Sequence, residues 1–250
     1  MNEFIGEFVG TAMLITLGHS INANMGLKKT KGAGTGWLMM CFGWGFSVAL
    51  CIYMVGRVCE AHINPAVTIA MAVTGHFDSG LVIGCILAQF AGAIFGATLM
   101  SVIYWPHFAA TDDSEKVLAV YATSPAINKP FSNFLAEAVG TAVLVFGILS
   151  IVANVDSVAA EAGEDAAQSL LSVGINPLLI GLLVAVIGLG LGGPTGFAIN
   201  PARDLGPRIV HAILPIPNKG PSNWGYAWIP VVGPIAGGIL GALLFNVLNG

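Results

Sequence analysis

Charge is what this sequence has least of. Asp, Glu, Lys and Arg make up 9% of its 250 residues, whereas a soluble domain carries about 25%. That scarcity excludes an ordinary water-facing surface. The net charge is −4 and there is no basic run, so nothing points to nucleic acid or an anionic lipid surface as a partner. Cysteine is scarce too. Cys41, Cys51, Cys59 and Cys85 all lie in the first half, and none stands at a metal-site or redox-motif spacing from a His or another Cys. They read as small buried hydrophobes. No nucleophile with an adjacent base and no metal-ligand cluster is evident, so neither enzyme chemistry nor a cofactor is expected.

What the chain has in excess is apolar sequence, 56% hydrophobic with 33 glycines. Apolar runs at residues 4–21, 36–55, 81–104, 131–153, 178–191 and 226–248 give six candidate spans. Most reach the roughly 20 residues that cross about 30 Å of hydrocarbon as a helix. The expected class is an all-α, multi-pass integral membrane protein. No basic stretch precedes the first run and no small-residue cleavage site follows it, so it reads as a retained helix rather than a signal peptide.

The chain also repeats itself. Glu7-Phe8-Val9-Gly10-Thr11-Ala12 returns as Glu137-Ala138-Val139-Gly140-Thr141-Ala142, and Ala91-Gly92 with Gly96-Ala97 returns as Ala236-Gly237 with Gly241-Ala242. Asn64-Pro65-Ala66 returns as Asn200-Pro201-Ala202. Three anchors in one order mark a duplication, with a first repeat over 1–110 and a second over 130–250 of a single domain. The glycines four apart are a close-packing signal for membrane helices.

Each Asn-Pro-Ala reads as a helix start, with asparagine as N-cap and proline at the first helical position. The segments that follow, 64–73 and 200–213, are too short to cross. Ten helical residues rise about 15 Å, half the hydrocarbon thickness. Three spans per half would insert the second half upside down, bringing the two short helices in from opposite faces to meet at the midplane. Among the connections, residues 20–35 carry Lys28, Lys29 and Lys31; residues 105–129 carry Asp112, Asp113, Glu115 and Lys116; and residues 156–172 carry Glu161, Glu164 and Asp165. The positive-inside rule would place the first of these in the cytoplasm.

The paired Asn-Pro-Ala and Glu-x-x-Gly-Thr motifs, on a plan of six spans plus two half-helices, resemble the major intrinsic protein family of aquaporins and glycerol facilitators. The resemblance covers essentially the whole chain. It implies a passive channel in the plasma membrane, assembled as a homotetramer with one pore per protomer. It also implies that both termini are cytoplasmic, which puts Lys28, Lys29, Lys31, Lys116, Lys129 and Lys219 outside. The charge rule biases insertion and has exceptions, so the orientation that the resemblance implies is the one expected.

Residue by residue, the resemblance implies that the amides of Asn64 and Asn200 donate to the permeating molecule, with Pro65, Ala66, Pro201 and Ala202 completing the helix starts. Two positive helix ends at the midplane would oppose cations and protons. An arginine at membrane depth costs at least ~2.5–3.5 kcal/mol and marks a function. The resemblance places Arg203 in an outer constriction with Trp44, Gly188 and Phe197. Two aromatics would offer an apolar wall to a carbon backbone, Arg203 would bind hydroxyls, and Gly188 would leave space where water-selective relatives carry a histidine or another larger residue. Backbone and side-chain groups of Ala61, His62, Gly196 and Ala198 would line the path. Glu7 and Glu137 would accept hydrogen bonds from the irregular loops before each half-helix, which otherwise have no place at that depth. Asp204 is expected to shape its loop and to pair with Arg208 at i+4. Glu60 stands where relatives usually have glycine. The Arg203-Asp204-Leu205-Gly206-Pro207-Arg208 run, like Pro230-Val231, resembles glycerol facilitators more than water channels. The function implied is diffusion of glycerol, other small neutral solutes and water. The alternatives are a mainly water-selective channel, or one tuned to lactic acid, dihydroxyacetone, urea or hydrogen peroxide. A coupled transporter and a junctional protein of the same fold are the more distant readings.

Overall fold

Asparagine sets where each of the two short helices begins. Asn64 and Asn200 both hold extended backbone, and each Oδ1 accepts the N–H of the second helical residue, from Ala66 at 2.9 Å and Ala202 at 3.0 Å. Pro65 and Pro201 follow directly, where a missing N–H removes no helix bond.

The computed structural model describes residues 1–162 and 174–249. Among them are nine α-helices and no strand: α1 (Asn2–Gly26), α2 (Trp37–Val55), α3 (Pro65–Val73), α4 (Val82–Ala110), α5 (Ser114–Tyr121), α6 (Pro130–Ala162), α7 (Asn176–Leu191), α8 (Pro201–Ile213) and α9 (Ile229–Asn249). Each of the six expected spans is a helix. Five are long and apolar enough to cross a membrane, and α7 is an apolar helix of 16 residues. Large apolar side chains such as Leu87, Val102, Val186, Leu240 and Val247 face outward, as lipid contact requires. Most of the acidic connection at 156–172, including Glu164 and Asp165, lies outside the described residues.

One element differs from the sequence expectation. Residues 105–129 are not simply a connection, because they contain α5. Asp113 starts this helix by accepting the N–H groups of Glu115 and Lys116, and Val117, Leu118, Val120 and Tyr121 bury its inner face. At eight residues it is too short for an apolar run to reveal.

The repeated glycines explain which helices pair. A Cβ on Gly92 would stand 2.3 Å from the carbonyl oxygen of Phe8, and one on Gly96 would stand 2.4 Å from that of Ala12, so α4 lies directly on α1. In the second half Gly237 and Gly241 meet the carbonyls of Ala138 and Ala142 at 1.9 and 2.3 Å, setting α9 on α6 in the same way. Only hydrogen at Cα permits such backbone approach. The short helices α3 and α8, about 14 and 20 Å long at 1.5 Å per residue, are enclosed by these long ones. Buried there, α8 carries Arg203, Asp204, Arg208 and His211 inside the protein rather than against lipid.

Candidate solute path

The loops that lead into α3 and α8 have irregular backbone. Ala61 and Ile63 have φ of 53° and 45°, and Phe197 and Ile199 have φ of 40° and 43°. A positive φ is rare for any residue with a Cβ and an outlier for a β-branched one, at about 1–3 kcal/mol each. Two buried carboxylates hold this backbone. Glu7 accepts the N–H groups of His62 and Ile63, both at 2.7 Å, and Glu137 accepts those of Ala198 and Ile199 at 3.0 and 2.8 Å. Gln89 adds a third bond to Glu7 at 2.7 Å and also donates to Thr68.

The two half-helices meet through their caps. Asn64 Nδ2 donates to the carbonyl of Ile199, and Asn200 Nδ2 to that of Ile63, both at 2.8 Å. A primary amide has two N–H groups, so each asparagine keeps one after this exchange. The carbonyls of Ala61, His62, Phe197 and Ala198 accept no hydrogen bond among the described residues. Both loops line a cavity of about 110 Å³, together with Trp44, Asn64, Asn200, Arg203 and apolar side chains including Val48, Leu144 and Val184. Glu60 also lines it. Its φ is not positive, unlike the +91° of its counterpart Gly196, and its N–H bonds to Glu3 at 3.0 Å. That conformation does not require a glycine.

On the cavity wall the Arg203 guanidinium lies 4.3 Å from the centre of the Trp44 ring. Both residues are buried, and Arg203 Nη1 has no hydrogen-bond partner among the described residues. The indole is fixed from behind. Its Nε1 donates to Asn22 at 2.9 Å, its ring lies over Gly18, and His19 meets it edge-on at 5.2 Å. Phe197 is fixed likewise by an edge contact from Trp37 at 5.7 Å, while Trp37 Nε1 donates to the Gly188 carbonyl at 3.1 Å. Gly188 itself does not line the cavity. A Cβ there would stand 2.9 Å from the Phe197 ring and 3.0 Å from Cys41 Sγ, so a side chain would act by displacing Phe197. Gly196 is also set back, with its missing side chain facing Thr123.

Behind Arg203, Asp204 and Arg208 form an ion pair at 2.6 Å, fully buried. Asp204 Oδ2 accepts both the N–H and the hydroxyl of Thr123 at 2.7 Å, and Arg208 donates to the carbonyls of Thr123 and Ser222. This network ties the segment after α5 to α8. Glu3, Glu7 and Cys59 also come together near the other loop, with ligand atoms within 4.8 Å. Both oxygens of Glu7 and one of Glu3 are already bonded to loop N–H groups or Gln89, so this cluster serves as loop support. Gln89, His19, Asn22 and Trp37 were not singled out from the sequence. Gln89 and His19 are polar residues inside apolar runs, which is the signal that would have found them; Asn22 stands just past the end of the first run.

Two half-helices meeting N-terminus to N-terminus, with a cavity passing their caps, define a membrane channel. The chain belongs to the major intrinsic protein family, whose model matches residues 1–245. It is 51% identical over 99% of its length to a probable glycerol uptake facilitator protein of Thermotoga maritima, covering all of that protein. It is 48% identical over 98% of its length to a glycerol uptake facilitator protein of Bacillus subtilis, covering 84% of it. The structure is similar to the X-ray structure of the aquaglyceroporin from Plasmodium falciparum, with a TM-score of 0.81 at 30% identity, over 98% of this chain and 95% of that one.

Proposed function

We propose that this chain is a passive channel of the plasma membrane for glycerol and similar small neutral solutes, and for water. The observation that carries the reading is the Arg203 guanidinium, buried against Trp44 on the cavity wall with a donor left unpaired. A polyol needs donors and acceptors for its hydroxyls and an apolar surface for its C–H groups. Arg203 and the spare N–H groups of Asn64 and Asn200 are the donors. The free carbonyls of Ala61, His62, Phe197 and Ala198 are the acceptors, and Trp44 and Phe197 supply the apolar wall. The printed names of the curated relatives support glycerol as the solute.

Ions are kept out by charge and by dehydration. Two helix N-termini and one guanidinium make the path positive, and an apolar wall does not replace a hydration shell. Glu7 and Glu137 each hold loop N–H groups, which supports support rather than proton relay as their role. In this reading four protomers assemble, each with its own pore, and both termini are cytoplasmic.

The test is solute entry into vesicles holding the purified protein, with and without a proton or sodium gradient. Glycerol should equilibrate at the same level under every gradient. Accumulation above the outside concentration would make the protein a coupled transporter instead.

A further inference from the structure

We propose that His19 is a positioning residue of the constriction, supplying the hydrogen bond that Pro207 denies to Arg203. The inference rests on the constriction assigned to Trp44, Phe197 and Arg203 above. In a regular helix the Arg203 carbonyl would accept from the N–H four residues on. That residue is Pro207, inside α8, and it has no N–H. The carbonyl of the arginine that faces the solute is therefore left without its helix donor in a buried site, which costs free energy unless another donor reaches it. His19 Nε2 lies 3.1 Å from it.

The same ring does two further things. Its Nδ1 faces the carbonyl of Val120 in the last turn of α5; a neutral imidazole has a single N–H, here placed on Nε2, so this second approach is a contact with α5 and not a second donated bond. Its edge packs on Trp44 at 5.2 Å. One fully buried imidazole on α1 thus touches both Trp44 and the backbone of Arg203, and packs them against α5. Asn22, one turn further along α1, completes the mounting by accepting the indole N–H. The neighbouring Gly18 leaves room for the indole, since a Cβ there would stand 2.5 Å from the ring. This stretch of α1 is shaped to hold two walls of the constriction in register, although His19 and Asn22 are not among the cavity's lining residues.

The test compares His19→Leu, His19→Gln and the unaltered protein in vesicles, measuring glycerol and water permeability on the same preparations. Leucine keeps an apolar side chain and removes the donor; glutamine keeps an N–H able to reach the carbonyl. The glycerol-to-water permeability ratio should fall about fivefold in His19→Leu, on the order of one lost hydrogen bond, and His19→Gln should recover most of it. An unchanged ratio in folded His19→Leu overturns the proposal, and so does an equal loss in both variants. His19→Ala takes the place of the leucine variant if the latter does not reach the membrane. Unaltered protein that passes water but no glycerol contradicts the proposed function instead. The His19 claim is then read from the urea-to-water ratio in the same vesicles, with the same two outcomes deciding it.

Discussion

At the scale of single residues, the constriction depends on side chains that stand behind its walls. Gly188 is the simplest case, because any side chain there meets the Phe197 ring. Gly188→His should push that ring into the path and lower glycerol flow by about tenfold, a barrier of ~1.4 kcal/mol, with a smaller effect on water. Equal losses of both would remove Gly188 from the account of selectivity. Charge gives a second contrast. Asp204 and Arg208 are both fully buried, and removing one member of such a pair strands the other, at about 3–5 kcal/mol. Asp204→Asn should lower the melting temperature of the detergent-solubilised protein sharply. Asp112 is exposed and paired with Lys28, which donates to its carboxyl and holds it below the usual carboxylate range. Whatever that pair contributes is present above the ordinary carboxylate pKa and is lost as pH falls through the depressed value. Solvent screens it, so Asp112→Asn should leave the melting temperature unchanged at neutral pH.

At the scale of elements, what could be read from sequence was what is local. An N-cap asparagine and a first-turn proline act within four residues, so Asn64-Pro65-Ala66 and Asn200-Pro201-Ala202 announce α3 and α8 at their observed starts. The same holds for the Asp204 and Arg208 pair, one helical turn apart. Partners set by packing were not legible. Pro207 reveals that the Arg203 carbonyl lacks a donor, but nothing in the order of residues says that His19, far along the chain, supplies it. Helix α5 escaped for another reason, since eight residues with one buried face make no apolar run. The loops before α3 and α8 depend on their carboxylates as units. Glu137→Gln would replace one of two acceptor oxygens with a donor facing a backbone N–H, at a cost of about 1–3 kcal/mol. The variant should unfold at a lower temperature than the unaltered protein. No change would mean that another group holds the N–H groups of Ala198 and Ile199.

At the scale of the whole molecule, α1 ties the two ends of the path together. Near its start Glu3 and Glu7 hold the loop before α3, and later on His19 and Asn22 hold the constriction. Beyond them the chain reaches Lys28, Lys29 and Lys31, so the side of the membrane on which these lysines lie fixes the direction in which the constriction faces. A membrane-impermeant amine label applied to intact cells should modify this loop, as cytoplasmic termini require; labelling only after lysis would reverse the orientation. A cavity with donors on Arg203 and the paired asparagines, and an aromatic wall beside them, should conduct glycerol. The light-scattering trace of protein-bearing vesicles mixed rapidly with a glycerol gradient tests this. Shrinkage should be fast as water leaves, followed by prompt re-swelling as glycerol enters. Fast shrinkage with re-swelling no quicker than in protein-free vesicles would contradict it, and would leave a water channel.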